Sequence, residues 1–140
     1  MGNFTDGDRA RVVRLLQAER GIALHRLPLG RKLYADGQSN HYLILGGTGN
    51  WHGISLSLMD FLDSHKDCTE LVVTKKYRDS MLVFACSVRG LVENKGRLKR
   101  TERDDYHFNV DLMPSGDRLI VLEVPNLILS LVRKLQLGDT

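Results

Sequence analysis

The chain is expected to fold as one α+β domain over residues 1–140, with a mainly antiparallel or mixed β-sheet and three flanking helices. Three observations predict this. Apolar residues recur at helical spacing near both ends and once in the middle. Between them lie short runs that alternate apolar and polar residues, or are wholly apolar, bounded by Gly, Pro and Asp turns. The regular helix–strand alternation of a doubly wound parallel sheet is missing. A hydrophobic fraction of 42% and a charged fraction of 26% over 140 residues suit one globular core and exclude disordered, collagen-like and disulfide-scaffold classes. No apolar run reaches the roughly 18 residues of a membrane helix, and Met1 to Arg14 is charged rather than signal-like. Cys68 and Cys86 are too few for a secreted scaffold and are not spaced as a zinc or redox pair. A cytoplasmic protein without membrane contact is therefore expected.

Thr5 or Asp6 caps a first helix running to Arg20, with Asp6 and Asp8 at the positive end of its dipole and Gly21 placed to end it. Val12, Val13, Leu15 and Leu16 give it an apolar side, while Arg11 and Arg14 share the outer side. Ile22 to Leu27 then reads as a strand, Pro28-Leu29-Gly30 as a turn and Arg31 to Ala35 as a second strand. Asp36-Gly37 is a hairpin signal leading into a third, His41 to Leu45. From Ile54, the spacing of Leu58, Phe61 and Leu62 predicts a second helix of about three turns, capped by Ser55 or Ser57.

Glu70 to Thr74 and the apolar Met81 to Val88 predict two further strands, the second enclosing Cys86 as a small core hydrophobe. Tyr106, Phe108, Val110 and Leu112 alternate with His107, Asn109 and Asp111, so this strand has one wet face. Pro114-Ser115-Gly116-Asp117 turns it into Arg118 to Val124. Pro125-Asn126 is expected to open a third helix carrying Leu127, Ile128, Leu131, Val132 and Leu135 on one stripe, with Arg133 and Lys134 in its last turns. Leu129 and Leu137 fall off that stripe, either as isolated surface residues or as a homo-oligomer contact through this helix.

Charge is unevenly distributed. Residues 75–103 hold nine Lys or Arg against three acids, a local charge of +6 within a chain of net +3. Lys75, Lys76 and Arg78 lie in one loop and Lys95, Arg97, Lys99 and Arg100 in another. The two loops meet only if the chain reverses between them, and Arg89-Gly90 offers a turn. A reversal there makes one basic rim, with Tyr77 and Tyr106 beside it as stacking residues, an arrangement suited to a phosphate backbone.

Gly46-Gly47-Thr48-Gly49, after the apolar run Tyr42 to Leu45 and ahead of the Ile54 helix, resembles the dinucleotide-binding turn of short-chain dehydrogenases. That resemblance implies glycines admitting a pyrophosphate to a helix N-terminus. It spans only Tyr42 to Gly53 and breaks at the third glycine, where His52 stands. Since the elements that follow are antiparallel in pattern, the glycines are read as structural. Trp51, the single tryptophan, and His52 close this turn as candidate ligand or partner contacts, or as a cap on the core. The five histidines show no metal-binding spacing, so no metal site is assigned. Cys68, beside His65 and Asp67, is expected to be exposed; to act as a nucleophile it needs an activating base and a site that the local sequence does not supply.

The opening order of helix, three strands, helix and strand resembles the core of PD-(D/E)xK nucleases. That implies two carboxylates on Mg²⁺ and a lysine beside the attacking water. Asp36 matches the first acid, but the third strand, His41-Tyr42-Leu43-Ile44-Leu45, lacks an acid-x-lysine; a displaced version is Asp79 with Glu93-Asn94-Lys95. The function expected is therefore non-catalytic nucleic-acid binding through the basic rim, without a cofactor. The alternatives are a Mg²⁺-dependent nuclease using Asp79, Glu93 and Lys95, and a protein-partner module using the Trp51 loop or the last helix.

Overall fold

Residues 4–136 are described by the structure, a computed structural model; Leu137 lies outside the described residues. Helix α1 (Asp6–Arg20) begins at a reciprocal cap. The Thr5 hydroxyl accepts from the Asp8 amide at 3.0 Å, and the Asp8 carboxylate accepts from the Thr5 amide at 3.1 Å. Gly21 ends the helix in the left-handed region, at φ 62°. The next elements are β1 (His25–Arg26), β2 (Leu33–Ala35), β3 (His41–Gly47), β4 (Trp51–Ile54) and α2 (Leu56–Ser64), the last capped by the Ser55 hydroxyl. A 3-10 turn at Lys66–Cys68 leads into β5 (Thr69–Tyr77) and β6 (Ser80–Ser87). Helix α3 (Arg89–Glu93), a 3-10 turn at Lys95–Arg97, β7 (Lys99–Arg100), β8 (Tyr106–Leu112), β9 (Arg118–Val121) and β10 (Ile128–Gln136) complete the chain.

The ten strands form one mixed sheet in the order β1-β2-β3-β5-β6-β10-β9-β8-β4, with β7 added to β8. Every pairing is antiparallel except β3–β5. That pair is parallel because β4 and α2 form the crossover that a parallel connection requires. On one face, α1 lays Val12 and Leu16 against Ile44, Val72 and Val83. On the other, Leu58, Met59 and Leu62 of α2 join Leu43, Leu71, Val73 and Phe84. Phe108, Val110, Leu119 and Val121 belong to that second core, so the β4–β8–β9 end of the sheet curls around it. The α+β class and three helices are present, and no helix among the described residues is long and apolar enough to cross a membrane.

The third helix is not where the periodicity placed it. Residues 128–136 form β10, paired with both β6 and β9. A bulge between Leu131 and Arg133 shifts the strand's phase, so Val132 and Leu135, three apart, share the α1 face while Leu129 and Leu131 face the α2 core. Strand alternation interrupted by a bulge thus reproduces the spacing of a helical stripe. Leu129 is wholly buried, and the helical surface expected to support a homo-oligomer contact does not form among the described residues.

The third helix is instead α3, which starts where a hairpin turn was expected. Gly90 has no positive φ. Its requirement for glycine is a close approach: a Cβ there would lie 2.8 Å from Leu127 Cδ1. The chain therefore leaves β6 by a helical turn, without a returning strand.

Candidate nucleic-acid interface

The exit through α3 decides where the basic residues lie. Residues 95–100 stay at the Ser87 end of β6, where Lys95 reaches Asp63 at the end of α2, at 3.3 Å. Lys75, Lys76 and Arg78 belong to the β5–β6 hairpin at the other end. Lys75 stands opposite Leu82, five residues from Ser87 or about 16 Å along β6, and Arg78 lies beyond the far end of that strand, so the two loops do not merge into one rim. At the hairpin, Lys76 pairs with Asp8 at 2.8 Å and the Arg78 guanidinium lies 5.1 Å from the Tyr77 ring. At the opposite end Arg100 pairs with Asp104 at 2.8 Å and lies 4.0 Å from the Tyr106 ring. Arg97 and Lys99 are exposed and form no ion pair among the described residues.

A different surface collects part of the predicted set around Trp51. The missed strand β4 pairs with β8 in a register that sets Trp51 opposite Asn109 and Gly53 opposite His107, and β7 sets Lys99 on the other side of His107. Period-two alternation turns Trp51 outward and His52 inward. Trp51 is 54% exposed. Its indole lies along its own strand over Gly53, where a Cβ would be 3.0 Å from Trp51 Cη2. The indole N–H donates to His107 Nδ1 at 2.6 Å, with the rings 5.2 Å apart and tilted by 36°. His107 is thereby held with Nδ1 as acceptor and Nε2 as the ring's donor. The result is an exposed indole pinned at its N–H edge.

Three lysines surround this strand. Lys75 donates to the Thr48 carbonyl at 2.9 Å and to the Asn50 side chain, at the start of β4. Lys32 donates to the Gly53 carbonyl at 3.3 Å, and Lys99 occupies the row beyond His107. Burial holds the ammonium groups of Lys32 and Lys75 below the ordinary lysine pKa; Arg9 adds to this at Lys32, while Asp111 opposes it at Lys75. Glu123 accepts from the Asn109 backbone and side-chain nitrogens, each at 2.8 Å. Burial raises its pKa, but the Asn109 bonds and the charge of Lys99 outweigh that and hold the carboxyl below its usual range.

His52 was expected to contact a ligand beside Trp51, but the structure points it the other way. It is buried against Phe108, ring centroids 5.7 Å apart, with its pKa pushed down to about 4 by burial and by Lys32 and Lys75. The useful histidine is His107, whose outward position was already implied by the alternation at 106–112.

The acid–lysine set does not assemble. Asp79 sits between β5 and β6, while Glu93 and Lys95 lie beyond the far end of β6, where Arg89 bonds Glu93 at 3.2 Å and Asp63 holds Lys95. Asp36 accepts from the Gln38 amide at 2.8 Å and from the Asn40 amide and side chain at 3.1 Å, so it organises the β2–β3 turn. Among the described residues no cluster of three His, Cys, Asp or Glu side chains is placed to hold a metal ion. The glycine turn leads into strand β4 rather than directly into a helix. Gly46 packs under the Phe4 ring, where a Cβ would be 2.6 Å from Cδ1, so it is needed for packing. No protein-family model, curated protein or solved structure matches the chain.

Proposed function

We propose that the outer face of β4, β8 and β7 binds single-stranded nucleic acid, with a base stacked on Trp51 and the backbone drawn toward Lys99 and Arg97. The observation that supports this most is the exposed indole fixed by its bond to His107, in a sheet that carries Lys99 two strands away, opposite His107. An unpaired base offers a π face to such a surface, and the lysines supply charge for phosphates. Two acids lie nearby: Glu123, an anion held by Asn109 within the field of Lys99, and Asp111, within the field of Lys75. The seven basic residues of the expected rim therefore divide. Arg97 and Lys99 are assigned to the ligand, and Lys75 supports the strand that carries Trp51.

Fluorescence anisotropy with labelled oligo-dT and oligo-U tests this reading. Trp51→Ala removes the stack and weakens binding about 5- to 150-fold, corresponding to roughly 1–3 kcal/mol. Replacing Arg97 and Lys99 together with Ser lowers the slope of log affinity against log salt by about 1.4, at roughly 0.7 per phosphate contact. Affinity unchanged by Trp51→Ala would remove the platform from the mechanism.

A further inference from the structure

Parallel pairing of β3 with β5 produces a second site, independent of the Trp51 face. The register puts His41 opposite Thr69, which brings Cys68, 27 positions away in sequence, to the His41 imidazole. Cys68 Sγ lies 3.8 Å from His41 Nδ1 and 3.5 Å from the His65 carbonyl. The pair opens on a cleft of about 240 Å³ whose other walls include Asn40, Tyr42, Thr69 and Ser87. Its two lining carboxylates are each paired: Arg20 grips Glu70 through two bonds of 2.8 and 2.7 Å, and Arg89 pairs with Asp67. This supplies the base and the site that the local sequence around Cys68 lacked.

We propose that Cys68 and His41 form a nucleophilic thiol site for a small disulfide. The cleft beside the pair, lined by Asn40, Tyr42, Thr69 and Ser87, holds the half that leaves. His41 Nδ1 takes the Cys68 proton, and the thiolate attacks one sulfur of the disulfide. The S–S bond breaks, and the departing thiolate takes the proton back from the imidazolium. The products are a mixed disulfide on Cys68 and one free thiol, so no further oxidant or reductant is consumed.

Several groups face His41 and set its basicity. Its ring meets Phe61 edge-on at 5.1 Å and His65 at 5.0 Å, with Asp36 in the adjoining turn and the Arg20–Glu70 and Arg89–Asp67 pairs at the cleft. Burial and His65 lower the His41 pKa against the opposing pull of Asp36, which keeps the ring neutral near pH 7 while reducing its basicity, so the 3.8 Å contact rather than a raised basicity carries the proton transfer. Cys86 provides an internal control, since burial and Glu70 push its thiol up to about 12.

Glutathione disulfide is the probe, with the modified cysteine located by peptide mass spectrometry and rates followed between pH 6 and 9. Expected is a mixed disulfide on Cys68 in preference to Cys86. His41→Gln should slow it at least tenfold at pH 7 and move the rate profile toward that of an ordinary thiol. Iodoacetamide, whose leaving group needs no proton, should be slowed less than the disulfide by the same substitution. Wild-type protein compared with itself in urea tests the site without a variant: Cys68 should react faster in the folded chain. Equal rates folded and unfolded, equal modification of Cys86, or an unchanged pH profile in folded His41→Gln would each overturn the proposal.

Discussion

His52 shows how one position in a strand decides between a ligand contact and a core residue. Next to an exposed tryptophan it points inward, and its depressed pKa makes folding depend on pH. The unfolded histidine, near 6.5, binds a proton before the folded one, near 4. Stability present above pH 6.5 is therefore lost as pH falls toward 4. Between pH 7.5 and 5 the loss is about 2 kcal/mol. His41 shifts in the same direction, so the diagnostic quantity is the difference between wild type and His52→Gln in urea melts at the two pH values. A variant with the same pH slope as wild type would refute the assignment. Thr74 gives a second single-residue prediction. It is fully buried on β5, and its hydroxyl finds no hydrogen-bond partner among the described residues. Thr74→Val removes that polar group at nearly constant volume and should raise stability by about 1 kcal/mol; a lower denaturation midpoint would contradict it.

Elements were legible where one signal governed a long enough segment. Thr5, Asp8 and Gly21 mark both ends of α1, Ser55 marks the start of α2, and the alternation from Tyr106 to Leu112 marks β8 and its wet face. Misreadings arose where a second effect altered the pattern. The bulge in β10 gave Val132 and Leu135 a helical spacing. Strand β4 has only four residues, one of them Gly53, too few for alternation to stand out from the glycine turn before it. In α3, five residues beginning Arg89-Gly90 resemble a hairpin turn because the glycine is required by Leu127, a contact remote in sequence. Gly90→Val should cost about 1–3 kcal/mol through overpacking. Leu127→Ala opens the space, so the double variant should lose less than the sum of the two single losses. Strict additivity in chemical denaturation would show that the Leu127 contact is not the cause.

Across the whole molecule, the α+β class and the local excess of positive charge were legible, because composition and periodicity survive errors at individual elements. The grouping of that charge was not. It depended on how the chain leaves β6, and α3 keeps Lys95 to Arg100 away from the β5–β6 hairpin. Trp51 was visible as a candidate, but its platform requires Gly53, His107 and Lys99 to meet across three strands. Because Trp51 is the only tryptophan, its intrinsic fluorescence reports directly on that surface. The most direct measurement is a titration of the wild-type protein with unlabelled oligo-dT or oligo-U at low salt, repeated as salt is raised. Saturable quenching of the indole, with a midpoint that moves to higher oligonucleotide concentration as salt increases, is the predicted result. An unchanged emission spectrum, while anisotropy shows the oligonucleotide bound, would place binding elsewhere and contradict the stacking platform; no binding at low salt would contradict nucleic-acid recognition altogether.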